Sequence, residues 1–126
     1  MQADAIDHLV LTVHDLDASV DFYTRVLGMR EVVFGEGRCA LAFGQQKLNL
    51  HPADAPLSPH ATHPVPGAID LCLRMATPMP HILAELVAHG VAVEAGPVER
   101  TGAQGPLLSV YVRDPGGNLI ELSNPR

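Results

Sequence analysis

The stretch RDPGGNLIEL, residues 113–122, joins a turn to a strand near the end of the chain. Its first half contains the Asp, Pro and Gly residues that favour turns, and the apolar residues that follow predict a strand over about 118–123. Because side chains alternate along a strand, Glu121 shares a face with Leu119 and Ser123. Burying a lone carboxylate is unfavourable, so Glu121 needs a hydrogen-bonding, ionic or metal partner. The stretch therefore predicts the closing strand and singles out its one ionisable side chain.

Upstream of this strand, the order of elements repeats within the chain. One offset aligns Ile6–Leu9 with Ala68–Leu71 and the pair Leu27-Gly28 with His89-Gly90. Few letters are identical, so the evidence is that the first strand and the end of the helix match at the same offset. Each half reads as a strand, a helix and three strands. The sequence therefore predicts an α+β fold of two βαβββ modules, in which pairing of the modules covers the exposed sheet faces.

The predicted boundaries describe a single domain, residues 1–126, with module one at 1–51, a proline-rich linker at 52–66 and module two at 67–126. In module one we expect a helix from the N-cap Asp15 to Gly28 and strands at 5–13, 29–35, 38–43 and 47–51. In module two we expect a helix from Pro80 to His89 and strands at 68–75, 91–95, 107–112 and 118–123. Module two is longer, and residues 97–106 are the expected place for its extra length.

Composition and charge exclude several classes of partner. The net charge is −6 and aromatic residues make up 4% of the chain, which argues against binding nucleic acid through phosphates or by base stacking. Neither a basic run nor a long apolar segment is present, so we expect no membrane partner. The chain begins without the features of a secretory signal, and Cys39 and Cys72 lie in strand-like runs. We therefore expect a cytoplasmic protein with two buried free thiols.

Strand parity selects a small set of polar residues for the predicted site. His8 in the first strand corresponds to Asp70 in the repeat, and equivalent positions of two pseudo-symmetric modules are expected to lie near each other. His51 shares a face with Asn49 in the fourth strand, and it ends module one as Glu121 ends module two. Two imidazoles and two carboxylates are suitable ligands for Zn, Ni, Mn or Fe. The pattern thus predicts a metal site made of His8, His51, Asp70 and Glu121.

Each of these residues also has a simpler interpretation. A histidine in a strand is commonly a hydrogen-bonded core residue, and a carboxylate such as Asp70 is able to pair with an arginine such as Arg74. No CxxC, HxxxH or HExxH spacing is present to single out a zinc site. The two interpretations differ in one measurable respect, which is whether the purified protein contains metal.

Three stretches resemble the vicinal oxygen chelate superfamily, which includes glyoxalase I, bleomycin-resistance proteins, fosfomycin-resistance transferases and extradiol dioxygenases. They are DHLVLTV at 7–13, SVDFY at 19–23 with the later Leu27-Gly28, and DPGGNLIEL at 114–122. KLNLH at 47–51 and GPVERTGA at 96–103 further resemble a bacterial lactoylglutathione-lyase-like subgroup associated with virulence. The resemblance covers essentially the whole chain. It implies a glyoxalase-like fold in which two modules form a cup-shaped, eight-stranded sheet.

The resemblance also implies roles for individual residues. The superfamily binds a divalent metal ion from the first and last strands of each module, so His8 and Glu121 match ligand positions directly. Asp70 stands where many members carry histidine, and Asn49 where many carry glutamate, with His51 further along the same face. In glyoxalase-like chemistry the ion stabilises an enediolate while a carboxylate moves the proton, which makes Glu121 the expected catalytic base. Glutathione or another thiol as co-substrate, and a homodimer, are further implications.

These expectations lead to one leading function and two alternatives. The leading function is a metal-dependent lyase or isomerase of the glyoxalase I type that acts on a small α-oxo thiol adduct. One alternative is another metal enzyme on this scaffold, such as an extradiol-type dioxygenase or an acyl-CoA epimerase. The other is a metal-free binding protein of the bleomycin-resistance type, against which the low aromatic content argues.

A small-molecule substrate is the expected partner, and arginines are the expected anchors if it is anionic. The candidate anchors are Arg38, Arg74, Arg100 and Arg113. Arg74 is favoured because it shares the face of Asp70, and Asn49 is expected to contact the substrate from the other module. A surface charge is the alternative role for each arginine.

Overall fold

The computed structural model describes all residues, 1–126, and they fall into two compact units, Met1–Ala68 and Ile69–Arg126. Each unit contains one strand, one helical segment and three further strands in that order. The predicted α+β class with two βαβββ modules is therefore confirmed. Strand pairing stays within each unit, so the eight strands form two four-stranded sheets. The structure contains no helix with the length and apolarity needed to cross a lipid bilayer.

The first unit is built from four strands and one helical segment. Its elements are β1 His8–Val13, α1 Leu16–Asp21, a π-helical turn at Phe22–Val26, β2 Arg30–Phe34, β3 Arg38–Phe43 and β4 Gln46–Pro52. The strand order is β1-β4-β3-β2, with β1 and β4 parallel. Asp15 caps the helix as predicted, because its carboxylate accepts a hydrogen bond from the Ala18 N–H at 3.0 Å.

Side-chain alternation gives the first sheet an apolar face and a polar face. Leu11 lies opposite Leu50, and Leu48 lies opposite Leu41, so these four buried residues share one face. Each such aliphatic side chain stabilises the fold by about 1.5–3 kcal/mol on burial. The residues between them in the sequence point to the other face. That second face carries the histidines, the asparagine and the cations of the candidate site.

The second unit repeats this plan with longer second and third strands. Its elements are β5 Asp70–Arg74, α2 Met79–Ala88, β6 Ala95–Gly102, β7 Gly105–Arg113 and β8 Leu119–Pro125. The strand order is β5-β8-β7-β6, and the parallel pair joins the first strand of the unit to the last. The apolar face is again aliphatic, since Val110 lies opposite Leu122 and both are buried. Glu121 therefore points to the opposite, polar face.

The turn between β7 and β8 is held by two buried side chains. Asp114 Oδ1 accepts hydrogen bonds from the N–H groups of Gly116 and Asn118, at 3.0 and 2.9 Å, and the Asn118 side-chain amide donates to Asp114 Oδ2 at 2.8 Å. Asn118 Oδ1 accepts a hydrogen bond from the Ile69 N–H, at 2.9 Å, just before β5. Asp114 and Asn118 are 5% and 2% exposed. The motif that opened the sequence analysis therefore fixes the turn and ties it to the entrance of β5.

One sequence-based prediction about module two was wrong. The strand expected at 91–95 begins only at Ala95 and continues to Gly102, and the extra length expected at 97–106 forms the β6–β7 hairpin. Gly96 and Pro97 are residues typical of loops, yet both lie within β6. The pairing of β6 with β7 is irregular there, because the register shifts between Ala95 and Val98. A Cβ atom at Gly96, which has φ +96°, would collide with the Ser109 carbonyl oxygen. Glycine at this position thus allows β6 to approach β7.

The predicted burial of the two cysteines was only half right. Both are free thiols, but Cys39 is buried whereas Cys72 is exposed. Cys39 lies on the apolar face opposite Leu50, while Cys72 lies opposite Glu121 on the polar face of the second sheet. The local sequence could not distinguish them, because both lie within apolar strands and only the pairing assigns the face.

Candidate functional site

The polar face of the first sheet collects three of the predicted site residues. In the parallel pair of β1 and β4, His8 lies opposite Lys47, Val10 opposite Asn49, and Thr12 opposite His51. His8, Asn49 and His51 therefore share one face. His8 lies at one end of β1, and His51 lies opposite the other end of that strand.

His8 is oriented by its neighbour in the sequence. Its side chain is 45% exposed, and its Nδ1 atom lies 2.7 Å from Asp7 Oδ1. A carboxylate that holds one ring nitrogen fixes the orientation of the imidazole. The Asp7–His8 pair therefore presents Nε2 of His8 as a donor for a ligand or a metal ion. Asp7 was not selected from the sequence, because parity in the predicted strand 5–13 places it on the face opposite His8, whereas the structure begins β1 only at His8.

Asn49 and His51 contain two buried polar atoms without a hydrogen-bond partner. These atoms are Asn49 Oδ1 and His51 Nε2, and the two residues are 4% and 6% exposed. Burial lowers the pKa of His51, and electrostatic interactions with Arg38 and His60 lower it further. His51 is therefore a neutral imidazole at pH 7. Because buried polar groups normally have partners, the two orphan atoms indicate a surface suited to a polar ligand or a cation.

Glu121 occupies the centre of the polar face of the second sheet. Cys72 lies opposite it on β5, and Tyr111 lies opposite it on β7. Glu121 Oε2 accepts hydrogen bonds from the Ser109 hydroxyl at 2.6 Å and from the Ser123 hydroxyl at 3.2 Å. A carboxylate that accepts two hydroxyl donors on one oxygen is strongly positioned.

Two opposing influences act on the acidity of Glu121. Burial alone raises its pKa, but hydrogen bonds from Ser109, Tyr111, Ser123 and Cys72 together outweigh burial and lower the pKa below its ordinary value. Glu121 is therefore ionised at neutral pH. The same contacts that keep it charged also reduce its strength as a base.

The other predicted residues of the second sheet lie at the edges of this face. Asp70 lies opposite Leu119 and Arg74 opposite Ser123, and both are exposed. Four residues along a strand span about 13 Å, so Asp70 and Arg74 are too far apart to form the ion pair considered from the sequence. Arg100 Nε donates a hydrogen bond to the Tyr111 hydroxyl at 2.9 Å.

The predicted metal ligands are distributed evenly between the two units. His8 and His51 lie on the polar face of the first sheet, and Asp70 and Glu121 on the polar face of the second. No group of three or more His, Cys, Asp or Glu side chains in the structure is arranged to hold a metal ion.

Sequence reasoning missed several residues that contact Glu121. Ser109 and Tyr111 lie on β7, and the antiparallel register brings them beside β8. Their alternation in the sequence is compatible with a shared face. It did not indicate which residues of β8 they would meet, because the length of the intervening turn sets the register.

Comparison with known protein families matches residues 5–122 to the Glyoxalase/Bleomycin resistance protein/Dioxygenase superfamily. The chain belongs to this superfamily. The resemblance of the three sequence stretches is therefore confirmed at the level of the superfamily. Membership establishes the fold and a range of chemistries, while the reaction depends on the side chains of the polar faces.

Two relatives, one bacterial and one fungal, match nearly the whole sequence of this protein. It is 49% identical over 123 residues to virulence protein STM3117 of Salmonella typhimurium, a match that covers 98% of this chain and 85% of that protein. It is 53% identical over 120 residues to glyoxalase domain-containing protein RDO1 of Mycosarcoma maydis, covering 95% of this chain and 68% of that protein.

Solved structures of similar proteins agree with the assignment of the chain to the glyoxalase superfamily. The crystal structure of the Salmonella protein matches with a TM-score of 0.98 and 48% identity, covering 100% of both chains. Lactoylglutathione lyase from Agrobacterium tumefaciens matches with a TM-score of 0.75 and 27% identity, covering 98% of this chain and 95% of that chain. The structure of the chain is thus similar both to that of a virulence protein and to that of an enzyme.

Proposed function

We propose that the protein is a divalent-metal-dependent lyase or isomerase of the glyoxalase I type, acting on a small α-oxo thiol adduct such as a hemithioacetal. The observation that carries this proposal is the environment of Glu121, an ionised carboxylate held through one oxygen by Ser109 and Ser123. Such a carboxylate is suited to accept a proton from one carbon of a bound substrate and return it to the adjacent carbon.

The chemistry of the proposed donors fits a divalent metal ion. His8 presents its Nε2 atom because Asp7 holds Nδ1, and His51 contributes a neutral imidazole with a buried, unpaired Nε2. Asp70 and Glu121 are the proposed carboxylate donors. A bound divalent ion would stabilise negative charge that develops on neighbouring oxygens of the substrate.

The lowered pKa of Glu121 sets a requirement for this mechanism. A weak base removes a proton from carbon only if the resulting charge is strongly stabilised, so the carbon acid must be activated electrostatically. Ser109 and Ser123 both donate to Oε2, so in this proposal Oε1 is the oxygen that exchanges the proton. Their hydroxyls keep the carboxylate group in one orientation throughout the proton transfer.

Arginines of the second sheet are the proposed anchors for the substrate. Arg100 is held over the Tyr111 ring, with its Cζ atom 5.4 Å from the ring centroid, and it retains N–H groups beyond the one bonded to the Tyr111 hydroxyl. Arg74 lies at the other end of the face, opposite Ser123. An anionic substrate group bound there would lie on the same sheet face as Glu121.

A second candidate function is a metal-free binding protein for a small molecule. Two observations favour it. Glu121 already accepts hydrogen bonds from two hydroxyls, and no group of three His, Cys, Asp or Glu side chains is arranged so that it could hold a metal ion. In that case the same residues would form a polar binding surface. The two functions differ in metal content and in turnover.

The first test measures the metal content of purified protein after separate reconstitution with Ni, Zn, Mn and Fe. We expect about one ion per chain, as for a single catalytic centre, in the wild type and in the control variant Glu85→Gln, and loss of the ion in Glu121→Gln. Glu85 is an exposed residue of α2, so this control removes the same charge outside the polar faces.

The second test follows turnover of the hemithioacetal of methylglyoxal and glutathione by the loaded protein. Turnover by the wild type and by Glu85→Gln, but not by Glu121→Gln, would support the lyase. Absence of stoichiometric metal with all four ions would refute the lyase and leave the metal-free binder as the function.

A further inference from the structure

We propose that the polar face of the first sheet contains an anion site built around Phe34, which binds a small carboxylate that carries a hydroxyl or amino group on the neighbouring carbon. The sequence made Arg38 and Asn49 candidate substrate contacts, but the proposed metal chemistry assigns neither of them a role. The inference does not depend on a metal ion or on turnover.

The first observation is that two cations contact one aromatic ring. The Arg38 Cζ atom lies 4.8 Å from the centroid of the Phe34 ring, and the Lys47 Nζ atom lies 3.8 Å from the same centroid. An aromatic ring attracts a cation through its quadrupole and so positions it without neutralising it. Phe34 therefore gathers two positive charges at one place on the sheet.

The path of the Lys47 side chain supports this arrangement. Lys47 lies on β4 and Phe34 on β2, with β3 between them. The residue of β3 opposite Lys47 is Ala42, and the next residue of β3 on this face is Ala40. These small side chains let Lys47 extend across β3 to Phe34. Phe34 and the two cations therefore lie on the same sheet face as Ala40 and Ala42.

The second observation is that no carboxylate of the protein neutralises these charges. The chain has 14 Asp and Glu residues against 8 Lys and Arg, yet neither Arg38 nor Lys47 forms an ion pair. The other arginines with ion pairs lie elsewhere, as Arg25 does beside Asp21. Two neighbouring cations repel one another, and an anionic ligand would relieve the repulsion.

The third observation identifies what else the ligand should contain. Asn49 lies opposite Ala40 on the same face, and its Oδ1 atom is buried without a partner. A carbonyl oxygen accepts hydrogen bonds and cannot bind a carboxylate, so it requires a donor group on the ligand. A hydroxyl or amino group next to the carboxylate would supply this donor. The anion and the donor together define a 2-hydroxy or 2-amino carboxylate.

The test compares two probes that differ in one hydroxyl group. Glycolate and acetate are titrated separately into the purified protein, with and without a chelator, while ¹H–¹⁵N spectra report the Asn49 side-chain amide and the Arg38 Nε–H. We expect saturable shifts of both signals with glycolate and at least fivefold weaker binding of acetate. Sulfate, which carries no hydroxyl donor at neutral pH, should also bind more weakly than glycolate.

Three variants locate the site. Arg38→Gln and Lys47→Gln should each weaken glycolate binding at least fivefold, whereas Arg25→Gln, which removes the same charge in the same unit, should bind glycolate as the wild type does. Circular dichroism verifies that each variant is folded. Equal binding of glycolate and acetate by the wild type would overturn the proposed hydroxyl contact. Absence of saturable shifts, or unchanged affinity in both cation variants, would overturn the site itself.

Discussion

Glu121 shows how neighbouring side chains determine the state of a carboxylate. Its burial raises its pKa, yet the donors that surround it reverse this effect, and Ser109 is the nearest of them at 2.6 Å. Ser109 also lies 2.7 Å from the Ser123 hydroxyl, so the two serines form one network beneath the carboxylate. The charge of Glu121 is therefore a property of β7 and β8 together.

Replacing Ser109 by alanine should weaken this network. The pKa of Glu121 should rise, and the stability that the ionised carboxylate contributes above its ordinary pKa of 4.5 should decrease. A hydrogen bond to a charged group contributes about 1.5–3 kcal/mol, which is the expected loss at neutral pH. A ¹³C-detected titration of Glu121 and urea unfolding measure the two effects. Ser58→Ala, at an exposed position, is the matched control, and an unchanged pKa in Ser109→Ala would contradict the prediction.

His51 should make the stability of the protein depend on pH. The pKa of His51 is lower in the folded protein than its ordinary value of 6.5. At pH values between these two pKa values, His51 is protonated more in the unfolded chain than in the folded protein. Stability should therefore be full above pH 6.5 and fall as the pH decreases below it. Urea unfolding between pH 7.5 and 5 should show a smaller decrease for His51→Gln than for the wild type.

The control for this prediction is His63→Gln, which replaces an exposed histidine of the same unit. It should retain the pH dependence of the wild type. Identical slopes for the wild type and His51→Gln would show that His51 is not responsible.

At the level of single residues, strand parity accounts for the part of the site that lies within one strand. It grouped Asn49 with His51 and Glu121 with Ser123, because alternation depends only on the local backbone. It could not identify Ser109 or Tyr111 as neighbours of Glu121, since register between strands depends on turns and packing. The orphan atoms of Asn49 and His51 were likewise invisible, because burial is a tertiary property.

Among the elements, the turn at Asp114–Asn118 connects three parts of the second unit. It ends β7, starts β8 and binds the residue before β5 through the Asn118 side chain. The sequence predicted this turn correctly from its Pro and Gly residues. It did not predict that the flanking Asp and Asn hold the turn together.

Replacing Asn118 by alanine should destabilise the second unit. The change leaves the Ile69 N–H and the buried Asp114 carboxylate each short of the partner that Asn118 supplies, and an unsatisfied group of this kind costs about 1–3 kcal/mol. We expect a loss of about 2–4 kcal/mol in urea unfolding and faster hydrogen exchange at the Ile69 amide. Gln104→Ala, an exposed amide in the β6–β7 hairpin, should change neither quantity. Unchanged exchange at Ile69 would argue against the role of Asn118.

The element order was predictable from sequence because hydrophobic periodicity and helix caps are local signals. The position of β6 was not predictable from the sequence, because of Gly96 and Pro97. Gly96 and Pro97 are poor strand residues by propensity, but the register shift at this position accommodates both. The apolar residues Val91 and Val93 led to the prediction of a strand at 91–95. Both precede β6, the strand that pairs with β7. Tertiary pairing thus overrode local preference.

For the whole molecule, the segment between β4 and β5 contributes little to either sheet. Residues 54–63 are exposed and contain no strand or helix. This segment matches the central part of the proline-rich stretch noted in the sequence. Its composition explains its irregular structure, since proline lacks the N–H group that sheets and helices require.

Lengthening this segment should have little effect on folding. Inserting Gly-Ser-Gly-Ser between Pro56 and Leu57 should reduce stability by less than about 1 kcal/mol, because each doubling of loop length costs only about 0.6 kcal/mol. The same insertion between Leu122 and Ser123 in β8 should prevent formation of the second sheet. Circular dichroism and urea unfolding distinguish the two outcomes. A large loss from the first insertion would indicate that the segment has a structural role.

The parallel pairing of β1 with β4, and of β5 with β8, has a consequence for synthesis of the chain. Each sheet places the last strand of its unit beside the first, so neither sheet is complete until the final residues of its unit are available. A ribosome delivers the whole of the first unit before it begins β5. All four strands of the first sheet are thus synthesised before β5, whereas the second sheet must wait for β8, Leu119–Pro125.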